Sequence, residues 1–133
     1  MADTVIVNGV AGVRERSKLN LTANTTISEA QILENKFISN QGASGEIDIT
    51  LPAVSYPIEV IISSEEAQTL EVGPPSGELV CLDGANLHAD DVVDSDDAVG
   101  SLMTCIRLQI ADGSWIWNFL STQGTWTDSG ASD

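Results

Sequence analysis

Few residues in this chain are equipped for chemistry. His88 is the single histidine and stands beside Asp90 and Asp91 in a polar stretch. A Ser-His-Asp or Cys-His arrangement would have to use it, yet no nucleophile motif such as G-x-S-x-G lies nearby. A lone histidine in such a setting reads as a solvated side chain. Cys81 and Cys105 add no paired spacing that would hold zinc. The two could pair with each other, but nothing points to an oxidising compartment, which favours buried thiols acting as small hydrophobes over a disulfide.

Carboxylates offer the stronger alternative. Asp90, Asp91, Asp94, Asp96 and Asp97 crowd into one stretch, and hard cations take several carboxylate oxygens at once. Asp90, Asp94 and Asp96 are therefore a weak calcium candidate. The spacing lacks the glycine and terminal glutamate of an EF-hand loop, and mutually repelling aspartates read equally well as a solvated loop. A glycosidase pair drawn from the same residues would lack the pocket walls that raise one carboxyl pKa. No enzyme is identified, and no cofactor is implied.

The elements that must position these groups belong to a small acidic domain. The chain has 133 residues, with 20 Asp and Glu against 5 Lys and Arg and a net charge of -15. That balance excludes a phosphate-binding face, and with it nucleic acid, and it disfavours an anionic membrane surface. No apolar run approaches the roughly 20 residues that span a bilayer. The start has no cation ahead of its apolar stretch, which Asn8 interrupts, so it does not read as a signal peptide. Residues 1–36 are electrically neutral, whereas residues 37–133 hold the whole net charge with Arg107 as their one cation. We read residues 1–20 as an N-terminal arm that docks through Arg14, Arg16 and Lys18, and residues 21–133 as a single β domain.

Branched aliphatics, threonine and glycine dominate that domain, which favours strands joined by tight turns. Residues 4–7 and 19–22 are short strand candidates, and Ser28 with Gln31 forms a capping box for a brief helix over 28–35. In Glu46–Leu51 the apolar Ile47, Ile49 and Leu51 alternate with Glu46, Asp48 and Thr50, as a half-buried strand requires. Gly42 and Gly45 bracket the preceding turn and Pro52 ends the strand. Ile58, Val60 and Ile62 form another apolar face, Leu70 and Val72 a third, and residues 78–82 are apolar on both faces. Residues 83–100 read as a long acidic loop. Beyond it, Leu102, Thr104, Ile106, Leu108 and Ile110 share one face, and Asp112-Gly113 signals a hairpin. No repeat is visible. The count of seven or eight strands predicts an all-β sandwich or barrel, jelly-roll or tulip-like.

The strand after that hairpin is apolar on both sides. Trp115, Trp117 and Phe119 lie on one, Ile116 and Leu120 on the other. Such a strand is either central or meets another subunit. Concentrated aromatics mark Trp115 as an interface anchor and place Trp117 in the core, while Trp126 fits either role equally.

Lys36 to Pro52, with Phe37, Asn40, Gly42-Ala43, Gly45 and Leu51-Pro52 as its punctuation, resembles small β-rich structural proteins of tailed bacteriophages, among them head decoration and fibre proteins. Gly113-Ser114-Trp115 followed by Gly124-Thr125-Trp126-Thr127 looks like the ending of the same group. The resemblance implies a virion component, commonly a homotrimer, assembled in the host cytoplasm and attached to the major capsid protein on the outside of the shell. That is a capsid decoration, or cement, role. A tail or fibre protein recognising a host glycan through Trp115, Trp126 and the acidic loop is the alternative, and a small carbohydrate-binding or hydrolytic domain is a third. The resemblance carries over no functional residues, and it does not demand the acidic stretch.

Overall fold

The computed structural model describes residues 4–7, 10–14 and 16–131, the first two segments and residue 131 by their backbone alone. β1 (Thr4–Val7) and β2 (Val10–Arg14) pair as an antiparallel ribbon of their own. The remaining elements are β3 (Ser17–Asn20), β4 (Thr25–Thr26), α1 (Glu29–Glu34), β5 (Asn35–Ser39), β6 (Ile47–Thr50), β7 (Ile58–Ser63), β8 (Leu70–Gly73), β9 (Val80–Leu82), β10 (Ala85–Asn86), β11 (Asp91–Asp94), β12 (Leu102–Gln109), β13 (Trp115–Gln123) and β14 (Thr127–Ala131). They form a sandwich of a seven-stranded sheet, ordered β10-β9-β13-β12-β7-β5-β3, and a five-stranded sheet, ordered β14-β11-β8-β6-β4. The all-β sandwich expected from strand count and composition is present.

Its connectivity departs from an antiparallel jelly roll. From β3 to β8 the chain alternates between the sheets, β3, β5 and β7 going to one and β4, β6 and β8 to the other. Both of these sets are parallel. The first half is thus a short coil of stacked rungs, a structural repeat with no matching sequence repeat. Antiparallel β12 on β7 and β11 on β8 end the parallel stacking.

Local chemistry accounts for the elements. Ser28 Oγ accepts from the Gln31 amide and Gln31 Oε1 from the Ser28 amide, the reciprocal cap that starts α1. Gly42 turns the chain at φ +91, a conformation open to glycine at no cost, whereas Gly45 needs no such freedom. Ile47, Ile49 and Leu51 face inward as their alternation requires, and join Val60, Ile62, Leu70, Val72, Trp117 and Phe119 in one core. Among the described residues, no helix is long and apolar enough to cross a membrane.

Leu102, Thr104, Ile106 and Leu108 share one face of β12, as their alternation predicts; that face points away from the core, and the buried side is Met103, Cys105 and Arg107. Two expectations are corrected. The stretch 83–100 is not one loop, because it contains β10 and also β11, whose Val92 and Val93 are buried. Residues 17–20, assigned to the arm, are the edge strand of the larger sheet. Cys81 and Cys105 are free thiols, and complete burial pushes the Cys105 thiol well up.

Candidate functional site

The two outer faces of the sandwich have opposite chemistry. On the seven-stranded sheet, register places Phe37, Ile61, Thr104 and Leu120 side by side across β5, β7, β12 and β13. Leu108 and Ile116 are paired nearer the hairpin, with Ile106 between the two rows. Phe37, Leu108, Ile110 and Leu120 are 38%, 44%, 41% and 43% exposed. Adjacent strands lie about 4.8 Å apart, so the four-residue row crosses about 14 Å of sheet. Two ion pairs border it, Lys36 Nζ 3.6 Å from Glu59 and Lys18 Nζ 2.7 Å from Glu65, and beside Leu120 the Asp83 carboxylate accepts from the Ser121 amide and hydroxyl.

On the five-stranded sheet the corresponding row is Asp48, Glu71 and Asp94, directly opposite one another on β6, β8 and β11. Like charges in cross-strand register repel. Carboxylate oxygens of Glu46, Asp48 and Glu71 all lie within 4.8 Å of one another. Partial burial and then the charges of Asp48 and Asp94 push the Glu71 carboxyl up to about 7. Asp94 is also raised, chiefly by burial, and Glu46 is raised chiefly by its hydrogen bond with Asp48. Asp48 Oδ1 and Asp94 Oδ1 are buried with no hydrogen-bond partner. The cluster can take up a proton, and its hard oxygen donors are of the type that hold a divalent cation.

The calcium candidate of Asp90, Asp94 and Asp96 is not assembled as such. Asp90 Oδ1 accepts from the Gly77 amide at 2.6 Å, and Asp96 accepts from Ser101 Oγ and from the amides of Ala98 and Thr125. These are turn-closing bonds, and they hold the Asp96 carboxyl below its ordinary range. Of the three, Asp94 alone borders the carboxylate cluster. That grouping was hidden because its members come from three separate strands, two of them outside the acidic stretch. His88 is 98% exposed, with Nδ1 3.5 Å from Asp91 Oδ2, so the solvated reading matches its placement.

The predicted docking residues also separate. Of Arg14 only the strand position in β2 is described. Arg16 is turned inward, its Nη2 donating to the carbonyls of Ile32 and Asn35, and Lys18 donates to Gln41 and Glu65. Both are engaged within the body. Trp126 is 4% exposed and its Nε1 donates to the Gln123 carbonyl, which removes it from any external binding site. Trp117 is in the core as expected, donating to the Pro52 carbonyl.

Trp115 is only partly buried. It lines a groove of about 390 Å³ at the hairpin end of the sandwich, beside Leu79, Glu78, Asn86, Ile110 and Asp112. The Glu78 carboxylate is fixed there by Arg107, whose Nη1 and Nη2 donate at 2.7 and 3.3 Å. Arg107 is 2% exposed, and its Nε donates to the Val54 carbonyl at 2.8 Å. Its guanidinium also lies 5.7 Å from the Trp117 ring centroid, within cation–π range. Sequence patterning placed the only cation of residues 37–133 on no particular face; its burial is made possible by these partners.

No protein-family model, curated protein or solved structure matches the chain. The reading of function therefore rests on its own surfaces.

Proposed function

We propose that the protein is a structural component of a phage particle, a capsid decoration protein that associates with copies of itself and with the outside of the shell. The single observation that carries this reading is the apolar outer face of the seven-stranded sheet. Exposed apolar rows of this kind, with Glu59, Ile106 and Asn118 between them, mark an interaction surface on a small protein. Identical copies bearing a net charge of -15 repel one another least where charge is sparse or paired, and this face, with its Lys18–Glu65 and Lys36–Glu59 pairs, carries fewer free carboxylates than the opposite one. The acidic face is then left to water, where it keeps crowded assemblies soluble. The turn and strand punctuation of residues 36–52 supports the same role. Homotrimers would bind a lattice through several weak contacts at once.

The reading moves the docking surface from the cationic arm to the sheet, since Arg16 and Lys18 are occupied within the body. It is tested by light scattering on the full chain, and by cosedimentation with DNA-free phage heads. Wild type is expected to form trimers and to pellet with heads. Leu120→Lys is expected to leave a folded monomer in the supernatant. A wild-type protein that stays monomeric at high concentration and never pellets with heads would overturn the proposal.

A further inference from the structure

We propose that the groove at Trp115 is a binding site for a neutral carbohydrate, taking a short segment of glycan. This inference does not rest on the decoration reading. The groove lies where one neighbour of β13 runs out beside Trp115, which is still paired with Gln109 of β12 on its other side. Trp117 and Phe119, on the same side of β13, project into the core, and at their level β13 is flanked in the sheet by the parallel strand β9, whose pairing starts at Trp117 with Val80. Trp115 lies one step beyond that ladder, so its ring is left against the 77–79 turn and the groove instead of the core. The volume of about 390 Å³ falls within the span of small-molecule sites, about 300–1,000 Å³.

The lining is divided by chemistry. Trp115, Leu79 and Ile110 supply an apolar side, and Glu78, Asn86 and Asp112 supply hydrogen-bonding groups. Two of those groups are held in place before any ligand arrives. Arg107 clamps the Glu78 carboxylate. The Ser114 amide donates to Asp112 Oδ1 at 2.9 Å, and Ser114 Oγ donates to the same atom, which lowers the Asp112 pKa and keeps it an acceptor. A ligand that fits must place C–H groups on the indole and hydroxyl donors on fixed acceptors. A pyranose ring has those two aspects. An anion is repelled by the Asp112 carboxylate and finds no free donor at Glu78, whose charge Arg107 matches. A purely apolar ligand would strip them of water without replacing the lost hydrogen bonds. A cation gains little from Glu78, whose charge Arg107 already matches, which leaves the exposed Asp112 as its main partner.

The test titrates the full-length protein with cellotetraose, maltotetraose and N,N′,N″,N‴-tetraacetylchitotetraose, following tryptophan emission and heat. Trp117 and Trp126 are buried, so a change in emission reports Trp115. At least one sugar is expected to bind saturably, with an affinity unchanged between low and high salt. Trp115→Ala is expected to weaken it about tenfold or more, the scale of losing one aromatic anchor. Trp115→Phe should retain most of the affinity, and Asp112→Asn should weaken it while leaving the circular dichroism intact. Leu120→Lys should not alter it, which separates this site from the docking face. Three results would each overturn the proposal: no binding of any of the three sugars, binding indifferent to both Trp115→Ala and Asp112→Asn, or tetralysine binding in their place and being released by salt.

Discussion

Two cross-strand rows, one on each outer face, have been built from the same geometry with opposite contents. Phe37, Ile61, Thr104 and Leu120 make a row that water does not favour, and Asp48, Glu71 and Asp94 make a row that its own members do not favour. Neither serves folding. The apolar row lies outside the core, and the acidic row places carboxylates where electrostatics opposes them. A sheet face carrying such costs is explained by what it meets, so the first row is the natural place for a partner and the second for solvent or for bound protons.

The interior that both faces share sets the scale. Arg107→Ala removes the partner of the Glu78 carboxylate, which is 28% exposed and can hydrate, and of the buried Val54 carbonyl, together with the packing on Trp117. Losing a charged hydrogen-bond donor of this kind costs about 1.5–3 kcal/mol, and denaturant unfolding should show that loss. If the variant unfolded at the wild-type midpoint, Arg107 would be no more consequential than the outer rows.

The acidic row should respond next, and in the opposite direction. Glu71→Leu is expected to raise stability at pH 8 by up to about 1 kcal/mol, the size of a cross-strand pair, measured by the same unfolding curves. The wild-type pH dependence has a definite sign. Glu71 carries a folded pKa of about 7 against an ordinary 4.5, so the native state holds its proton more tightly than the unfolded chain. The resulting stabilisation is complete below about 4.5 and is lost as pH rises through about 7. The melting temperature should therefore climb as pH falls from 8 to 5.5, and Glu71→Gln should flatten that slope. An identical slope in the variant would remove Glu71 as its cause.

The smallest effect on folding belongs to the apolar row. Leu120→Lys should change monomer stability by no more than about 0.5 kcal/mol, as for most surface substitutions, even while it abolishes self-association. A much larger loss in thermal melts would mean that Leu120 belongs to the core and that the contrast between the faces is false.

Much of the frame was legible. Strict alternation in 46–51 gave both the strand and its buried side, and Ser28 with Gln31 gave the start of the helix. In β12 the shared face of Leu102, Ile106 and Leu108 was legible, but not its direction, because this more apolar register is the one that faces away from the core. Met103, Cys105 and an arginine do not look like a core face until Glu78 and Val54 are seen to satisfy that arginine. The acidic row was invisible because register alone brings Asp48, Glu71 and Asp94 together. Trp115, read from the sequence as an interface anchor, is partly buried and lines the groove. Its partners Glu78 and Asn86 come from a turn and a short strand whose proximity no local pattern encodes.

The coiled first half of the chain has a further consequence. The antiparallel pairing of β12 and β11 finishes the stack at one side, but β3 and β4 end it at the other with hydrogen-bonding edges of their own. Removing the outermost rung would uncover β5 and β6 with the same parallel edge as before. Among the described residues, then, the stack is closed at one side and ends at the other in the parallel edges of β3 and β4. Its integrity against fraying is set rung by rung from the N-terminal side.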